Sequence, residues 1–354
     1  MSRSPRKRPT TASSSRLSRR RFIGGALALP ALAAVPRGLP APQAAPYAVV
    51  LGTAQDAGVP QVNCFNPNCT AVRSGARPAP RVASLGLIDP GDAGSGATHR
   101  FLIDATPDFV AQVGDLLGQP DGAGGYSGSI PLAEHLHGVL LTHAHMGHYT
   151  GLVHLGREGA AAHELPLYVS RTMAGYLSGN EPWAMLVRNG HVAVHDLQPG
   201  VRVALSPRLA VTPFEVLHRQ ELSDTLGFLI HGPRRTLLYV PDADRWEGWP
   251  RTGIEAEVGD DAEPFDYWLA QSDVALLDAA FYSYDELGHR PQGEVPHPPV
   301  VESMERIAGR LGDLEVWFTH LNNTNPLWNP DSPENPTVRA RGFGVAASGQ
   351  VIAL

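Results

Sequence analysis

Short runs of β-branched, aromatic and leucine side chains recur along this chain, and polar or turn-forming residues bound each run. This pattern is typical of β-strands that are buried in a packed sheet. It predicts strands over residues 101–103, 138–141, 211–217, 236–240, 274–277 and 316–319, and a helix over residues 300–311. Because no strong change in composition interrupts residues 47–354, we expect them to form one domain.

Three histidines, His143, His145 and His148, lie within six residues directly after the predicted strand 138–141. On an extended segment, side chains two residues apart project to the same face, so His143 and His145 are expected to point together. Catalytic zinc sites typically use three protein ligands and keep one position open. The motif therefore predicts a metal site. The alternative, a histidine-rich loop that binds nothing, is disfavoured by the number and spacing of the imidazoles.

Three other predicted strands end at, or just before, a further ligand type: His218, Asp242 and His320. Each residue alone would be read as an ordinary surface, core or turn residue. Their common position at strand ends, after the histidine motif, predicts that they converge on the same metal site. Asp242 would anchor the metal and help to orient a bound water.

Two more aspartates, Asp104 and Asp278, directly follow the predicted strands 101–103 and 274–277. Metal-binding imidazoles usually donate their other N–H group to a carboxylate, so both aspartates are candidates for that supporting role. The alternative for each is a plain turn carboxylate.

In this order, the residues resemble the ligand series of the metallo-β-lactamase superfamily. That series is a His-x-His-x-Asp-His motif, a distant His, a metal-bridging Asp and a final His. The resemblance covers about residues 47–354 and implies an α+β fold, the αββα four-layer sandwich, with the metals at one edge. It assigns the metal ligands to His143, His145, His148, His218, Asp242 and His320.

Within the superfamily, residues 51–58, Cys64, Cys69 and residues 320–326 resemble the pyrroloquinoline quinone biosynthesis protein B branch. That branch implies an accessory or oxygen-using enzyme of quinone maturation that holds iron or zinc. However, the branch often lacks the paired histidines that this chain retains at 143 and 145, which favours a working hydrolase.

Gly147 stands where the superfamily's aspartate would bind the second metal. The resemblance then leaves only His148, His320 and the shared Asp242 at that position. We therefore expect one tightly bound Zn²⁺ and a second site that is weak or empty, with iron or manganese as alternative metals. On this basis Gly147→Asp is expected to raise metal occupancy.

These residues predict a zinc-dependent hydrolase that uses metal-activated water on an ester, lactone, amide or phosphodiester. The alternatives are the role of the quinone-biosynthesis branch and a non-catalytic metal-binding protein. His297, which lies among prolines, is the candidate general acid because an imidazole titrates near neutrality. A loop histidine without a role is the alternative.

The composition gives no sign of a polyanion-binding protein. The chain is 43% hydrophobic and 18% charged, with a formal net charge of −7. Its basic residues are concentrated in the first residues of the chain, so no nucleic-acid partner is expected for the rest. We expect a small-molecule substrate instead.

Residues 1–46 have the features of an export signal followed by a Pro/Ala-rich linker. Arg19 and Arg20 precede the apolar stretch 24–35, as in a twin-arginine signal. The sequence thus predicts contact with the twin-arginine export machinery and a periplasmic or other extracytoplasmic location. A basic tail without a targeting role is the alternative. The apolar stretch is shorter than the roughly 20 residues of a membrane span, and no stable span is expected.

The two cysteines, Cys64 and Cys69, are separated by an Asn/Pro-rich loop. Exported proteins retain disulfides, so a local bridge is the simplest interpretation. Half of a structural zinc site is the alternative.

Overall fold

Two seven-stranded mixed sheets form the centre of the protein. The computed structural model describes residues 45–91, 98–118, 128–259, 261–288 and 295–354, which belong to one compact unit. The predicted export signal, including Arg19, Arg20 and the apolar stretch 24–35, lies outside the described residues. None of the helices within the described ranges is both long and apolar enough to cross a membrane.

The first sheet combines strands from the beginning, middle and end of the chain. Its strands are β1 (Tyr47–Gly52), β2 (Ser84–Asp89), β3 (His99–Ile103), β4 (Gly138–Leu140), β5 (Leu165–Val169), β6 (Val192–Asp196) and β14 (Val351–Ala353). Their order is β14-β1-β2-β3-β4-β5-β6. The pairs from β14 to β3 are antiparallel and those from β3 to β6 are parallel.

The second sheet follows the first along the chain, apart from the return of β14. It contains β7 (Val203–Ala204), β8 (Ala210–Glu215), β9 (Leu226–His231), β10 (Thr236–Val240), β11 (Val274–Asp278), β12 (Glu315–Thr319) and β13 (Gly344–Val345). Their order is β13-β12-β11-β10-β9-β8-β7. Pairs from β7 to β10 are antiparallel, and pairs from β10 to β13 are parallel.

Eight α-helices lie among the described residues. They are α1 (Pro67–Arg73), α2 (Phe109–Leu117), α3 (Met146–Tyr149), α4 (Arg171–Gly179), α5 (Trp183–Arg188), α6 (Pro264–Ala270), α7 (Val300–Ile307) and α8 (Glu334–Ala340). A 3₁₀ turn, Ala308–Arg310, continues α7, so the helix predicted over 300–311 is present with a tighter last turn.

Alternation of side chains along the strands produces the layers. In β1, Ala48 and Val50 pack between the sheets with side chains such as Phe228, whereas Val49 and Leu51 pack outward in the cluster that contains helices α2 and α4. A third cluster joins the outer face of the second sheet to α6, α7 and α8. Successive strand residues face opposite sides, so both faces of each sheet are buried. The predicted αββα sandwich is confirmed.

The strand directions bring the polar strand ends to one edge. Because β10, β11 and β12 run parallel, Asp242, Asp278 and His320 follow at the same end of the second sheet. Strand β8 runs antiparallel to β9, which is antiparallel to β10, so His218 also lies at this end. Convergence of these residues is thus a consequence of topology.

Candidate metal centre

Three imidazoles and one carboxylate converge in what we term the first donor group: His143, His145, His218 and Asp242. His143 Nε2 and His218 Nε2 lie 2.9 and 3.0 Å from His145 Nδ1. Asp242 completes the group, with Oδ2 3.4 Å from His143 Nε2 and Oδ1 3.2 Å from His218 Nε2. All four residues were predicted from the sequence, and the structure brings them together.

A second donor group lies beside the first and shares Asp242 with it. His148 Nε2 and His320 Nε2 are each 3.7 Å from Asp242 Oδ2. The fourth member is Asp56, which lies in segment 51–58 and is not part of the ligand series expected from the sequence. The sequence predicts three donors at this position, and the structure places a fourth carboxylate, from the loop after β1, beside them.

The donor atoms fit a bound cation. Ring nitrogens of neighbouring imidazoles face each other at 2.9–3.0 Å, and such a pair can share only one proton. Asp242 Oδ1 is buried and has no hydrogen-bond partner among the described residues, whereas buried polar atoms are normally satisfied. Three imidazoles and a carboxylate are ligands that suit zinc.

Carboxylates outside the donor groups orient three of the imidazoles. His148 Nδ1 donates to Asp104 Oδ2 at 2.8 Å, His218 Nδ1 donates to Asp244 Oδ1 at 2.8 Å, and His145 Nε2 donates to Glu221 Oε2 at 3.0 Å. Such contacts fix the ring and direct its other nitrogen towards the metal. Asp104 has the supporting position expected for it, whereas no pattern in the sequence predicts the positions of Asp244 and Glu221.

Asp278 contacts His297 and also lies beside His320, whose Nδ1 atom is 3.6 Å from Asp278 Oδ1. His297 Nδ1 donates to Asp278 Oδ2 at 2.7 Å, while the Asp278 carboxylate accepts the N–H groups of Ala243 and Ala280 at 3.0 and 2.9 Å. His297 Nδ1 is also 3.4 Å from Asp242 Oδ1. His297 therefore lies at the metal centre, with its Nδ1 atom held by a fixed carboxylate.

A cavity of about 340 Å³ opens beside His297. Phe281, Val295 and two alanines form the apolar part of its wall, and the other lining side chains carry amide, hydroxyl, imidazole or carboxyl groups. The polar wall includes Gln55, Gln61, Glu286, Asn322, Asn323 and Thr324. This size and polarity suit part of a small polar molecule next to the metal centre.

The disulfide between Cys64 and Cys69 lies against this wall. Asn66 Nδ2 donates to Asn323 Oδ1 at 2.7 Å, and Asn68 Nδ2 donates to the carbonyl oxygens of Asn323 and Asn325 at 2.9 and 3.0 Å. The cysteine loop thereby holds the segment that follows His320.

Burial and nearby carboxylates set the protonation of the imidazoles. Burial lowers the pKa of His143 well below its usual value. Burial also disfavours charge on His218 and His320, but Asp242 outweighs it and, with Asp244 and Asp278 respectively, raises their pKa values to about 9 and about 10. Asp242 itself is buried, which raises its pKa, yet His218 and His320 bring the pKa well below the usual range. In the metal-free protein His218 and His320 therefore favour the protonated form, whereas His143 favours the neutral form.

Two turns at the metal centre adopt left-handed backbone. Asp104 and His320 have φ angles of 68° and 62°. Non-glycine residues with positive φ are uncommon, and such conformations cost on the order of 1–3 kcal/mol where the surrounding structure enforces them. Both occur directly after a strand, where the chain must turn to bring the side chain to the centre.

Comparison with known proteins agrees with this geometry. Residues 99–321 match the family model described as the β-lactamase superfamily domain. This chain belongs to the metallo-β-lactamase superfamily. The expected resemblance to one branch is confirmed as well: coenzyme PQQ synthesis protein B of Methylobacterium sp. (strain 4-46) is 31% identical over 331 residues, which cover 87% of this chain and 99% of the relative. The protein of the same name from Azotobacter vinelandii is 29% identical, covering 86% and 99%.

Solved structures show the same fold. Zn²⁺-bound PqqB from Methylobacterium extorquens superimposes with a TM-score of 0.67 at 24% identity, covering 87% of this chain and all of that one. A diphosphatase of the PhnP family has a TM-score of 0.54 at 19% identity, covering 88% and 97%. The zinc in the first of these structures belongs to that protein; in this chain the two donor groups indicate a metal site.

Proposed function

We propose that this superfamily member is a metal-dependent hydrolase, with zinc as the expected metal. The observation that carries the proposal is the pair of donor groups that share Asp242, with all three imidazoles of the first group present. Iron or manganese is the alternative metal. We propose a small-molecule substrate because the cavity beside the centre has room for part of a small polar molecule.

A metal bound here would lower the pKa of a bound water and polarise a carbonyl or phosphoryl oxygen. The sequence has no Gly-x-Ser-x-Gly nucleophile motif that would compete with that water. Asp242 contributes one oxygen towards each donor group and so holds the two positions together. His297 donates from Nδ1 to Asp278, so only the doubly protonated ring, which also carries a hydrogen on Nε2, would give a proton to the leaving group.

The second candidate is a role in pyrroloquinoline quinone synthesis. It is supported by relatives named coenzyme PQQ synthesis protein B, which are 27–31% identical over nearly their whole length. Sequence similarity favours this candidate, whereas the intact first donor group favours hydrolysis.

Two measurements separate the candidates. Zinc-loaded protein is tested on chromogenic ester, lactone, amide and phosphodiester substrates, and the gene is tested for rescue of a bacterium that lacks its PQQ synthesis protein B. Turnover that is lost in His143→Ala supports the hydrolase. Rescue without turnover of any substrate contradicts it and supports the second candidate.

A further inference from the structure

We propose that Asp56 is a metal ligand and supplies the carboxylate that the histidine motif lacks at position 147. This inference rests on the metal-dependent function proposed above and extends it to two metal positions with four ligands each. Asp56 lies 91 residues before Gly147, in the loop after β1, and no part of the motif contains it.

The Asp56 carboxylate lies where two buried imidazoles meet. Its Oδ1 atom is 3.2 Å from His148 Nε2 and 3.1 Å from His320 Nε2. Both rings are fully buried, and Asp56 is only 8% exposed. His148 uses its other nitrogen for Asp104, so the Nε2 atom that faces Asp56 is the one left for a metal.

Asp242 completes the position and indicates a ligand. Its Oδ2 atom is 3.7 Å from both Nε2 atoms, so two nitrogens and two oxygens surround one point. Asp242 Oδ1 is buried and unsatisfied within the described structure. Oδ1 faces His218 of the first group and Oδ2 faces His148 and His320 of the second, so this one carboxylate presents an oxygen to each position.

Gly147 makes room for Asp56. A Cβ atom added at position 147 would lie 2.5 Å from Asp56 Cα and 2.7 Å from Asp56 Cγ. The first of these atoms belongs to the backbone and cannot rotate away. The Gly147 N–H group also points at Asp56 Oδ2, at 3.4 Å. A side chain at 147 and the carboxylate of Asp56 therefore exclude each other in this arrangement.

The loop that carries Asp56 is fixed to the chain that carries His320. Gln55 N donates to the carbonyl oxygen of Leu321 at 2.9 Å, and Leu321 N donates to that of Thr53 at 2.8 Å. Gly58, with φ of 67°, closes the loop by donating to the carbonyl oxygen of Gln55 at 2.7 Å. Asp56 is thus held next to His320 by backbone contacts and needs no metal to reach it.

The number of metal ions per chain tests this assignment. Wild type, Asp56→Ala and Asp56→Asn are saturated with Zn²⁺, dialysed against metal-free buffer and analysed for zinc and protein. Asp115→Asn is the matched control, because its carboxylate is 58% exposed and pairs with Arg81 away from the centre. Two donor groups predict two zinc ions per chain in wild type and control, and one in both Asp56 variants.

Affinity for the second ion gives a readout that is independent of activity. Loss of a residue that merely orients a ligand typically weakens metal binding about 10–100-fold. Calorimetric titration should show a larger loss for the second ion in Asp56→Ala and an unchanged first ion. Circular dichroism checks that the variants fold, and Asp56→Asn retains an oxygen that can accept the Gly147 N–H group.

Two results would overturn the assignment: two zinc ions retained by Asp56→Ala, or a wild-type chain that holds only one at saturation. Gly147→Asp, which the motif alone suggested would fill the second position, should hold no more zinc than wild type because it displaces Asp56. Hydrolysis is measured on the same samples. Wild type with two ions and no turnover contradicts the proposed function and leaves the ligand assignment intact.

Discussion

The sign of the stability change in Gly147→Ala distinguishes two roles of this glycine: one in which it leaves space for Asp56, and one in which it merely lacks a ligand side chain. Gly147 lies in the short helix α3 and does not have a positive φ angle. At such a position, Gly→Ala normally stabilises a protein by about 0.4–1 kcal/mol, because it reduces the entropy of the unfolded chain. Without a collision, the variant should therefore be slightly more stable than wild type.

The structure predicts the opposite sign. The added methyl group would lie 2.5 Å from Asp56 Cα, 2.8 Å from its Cβ and 2.7 Å from its Cγ, all closer than carbon atoms can approach. Extra methyl groups in a packed interior typically cost about 1–3 kcal/mol. The steric cost exceeds the favourable entropy term, so we expect the free energy of unfolding to fall by about 1–2 kcal/mol.

Urea unfolding of the metal-free proteins measures this difference, with midpoints compared at a common slope. Gly175→Ala is the control, because Gly175 lies in helix α4 and a Cβ there would meet no atom within 4 Å. The control should gain stability. If Gly147→Ala gains stability as well, Asp56 does not occupy the space next to residue 147 and the steric argument fails.

Three further predictions concern catalysis, protons and export. His297→Ala should lower kcat by about 10²–10⁴-fold at unchanged metal content, as measured by steady-state kinetics and elemental analysis; loss of metal would make His297 a ligand. His218 and His320 hold protons up to about pH 9 and pH 10 in the metal-free protein, so zinc binding should release protons and the apparent zinc affinity should rise with pH towards these values. Calorimetry in buffers of different ionisation enthalpy should detect the released protons, and equal heats in all buffers would refute the prediction. Replacement of Arg19 and Arg20 by lysine should leave precursor in the cytoplasm, and normal export on cell fractionation would disprove the signal.

Much of the metal centre could be predicted because its residues lie at the ends of strands that are recognisable in the sequence. A polar residue at the end of a buried strand is visible in the sequence, and parallel strands bring such ends to one edge. His218, Asp242 and His320 were found in this way, and strand β10 has the predicted bounds. Asp104 and Asp278 follow the same rule.

Asp56, Asp244 and Glu221 are harder to recognise in the sequence as residues of the site. Each lies in a loop where a carboxylate is ordinary, and its partner is far away in the sequence: Asp56 pairs with His148, and Glu221 with His145. A signal for Asp56 did exist, since it follows β1 by four residues at the edge where other strand ends converge. In the sequence Gly147 resembles a missing ligand, and the structure shows that it leaves space for the side chain of Asp56.

The two donor groups depend on different parts of the chain, which bears on how the centre works. The first group is held mainly by the segments after β4 and β8, and the second by the loop after β1, helix α3 and the end of β12. Asp242 is the member common to both among the described residues. Its carboxylate also lies 3.4 Å from His297 Nδ1, so metal binding and the proposed proton donor meet at the same side chain. His297 is held in turn by Asp278, and these groups are buried, where charges are weakly screened. A change in charge at either metal position would therefore alter the electrostatic environment of His297.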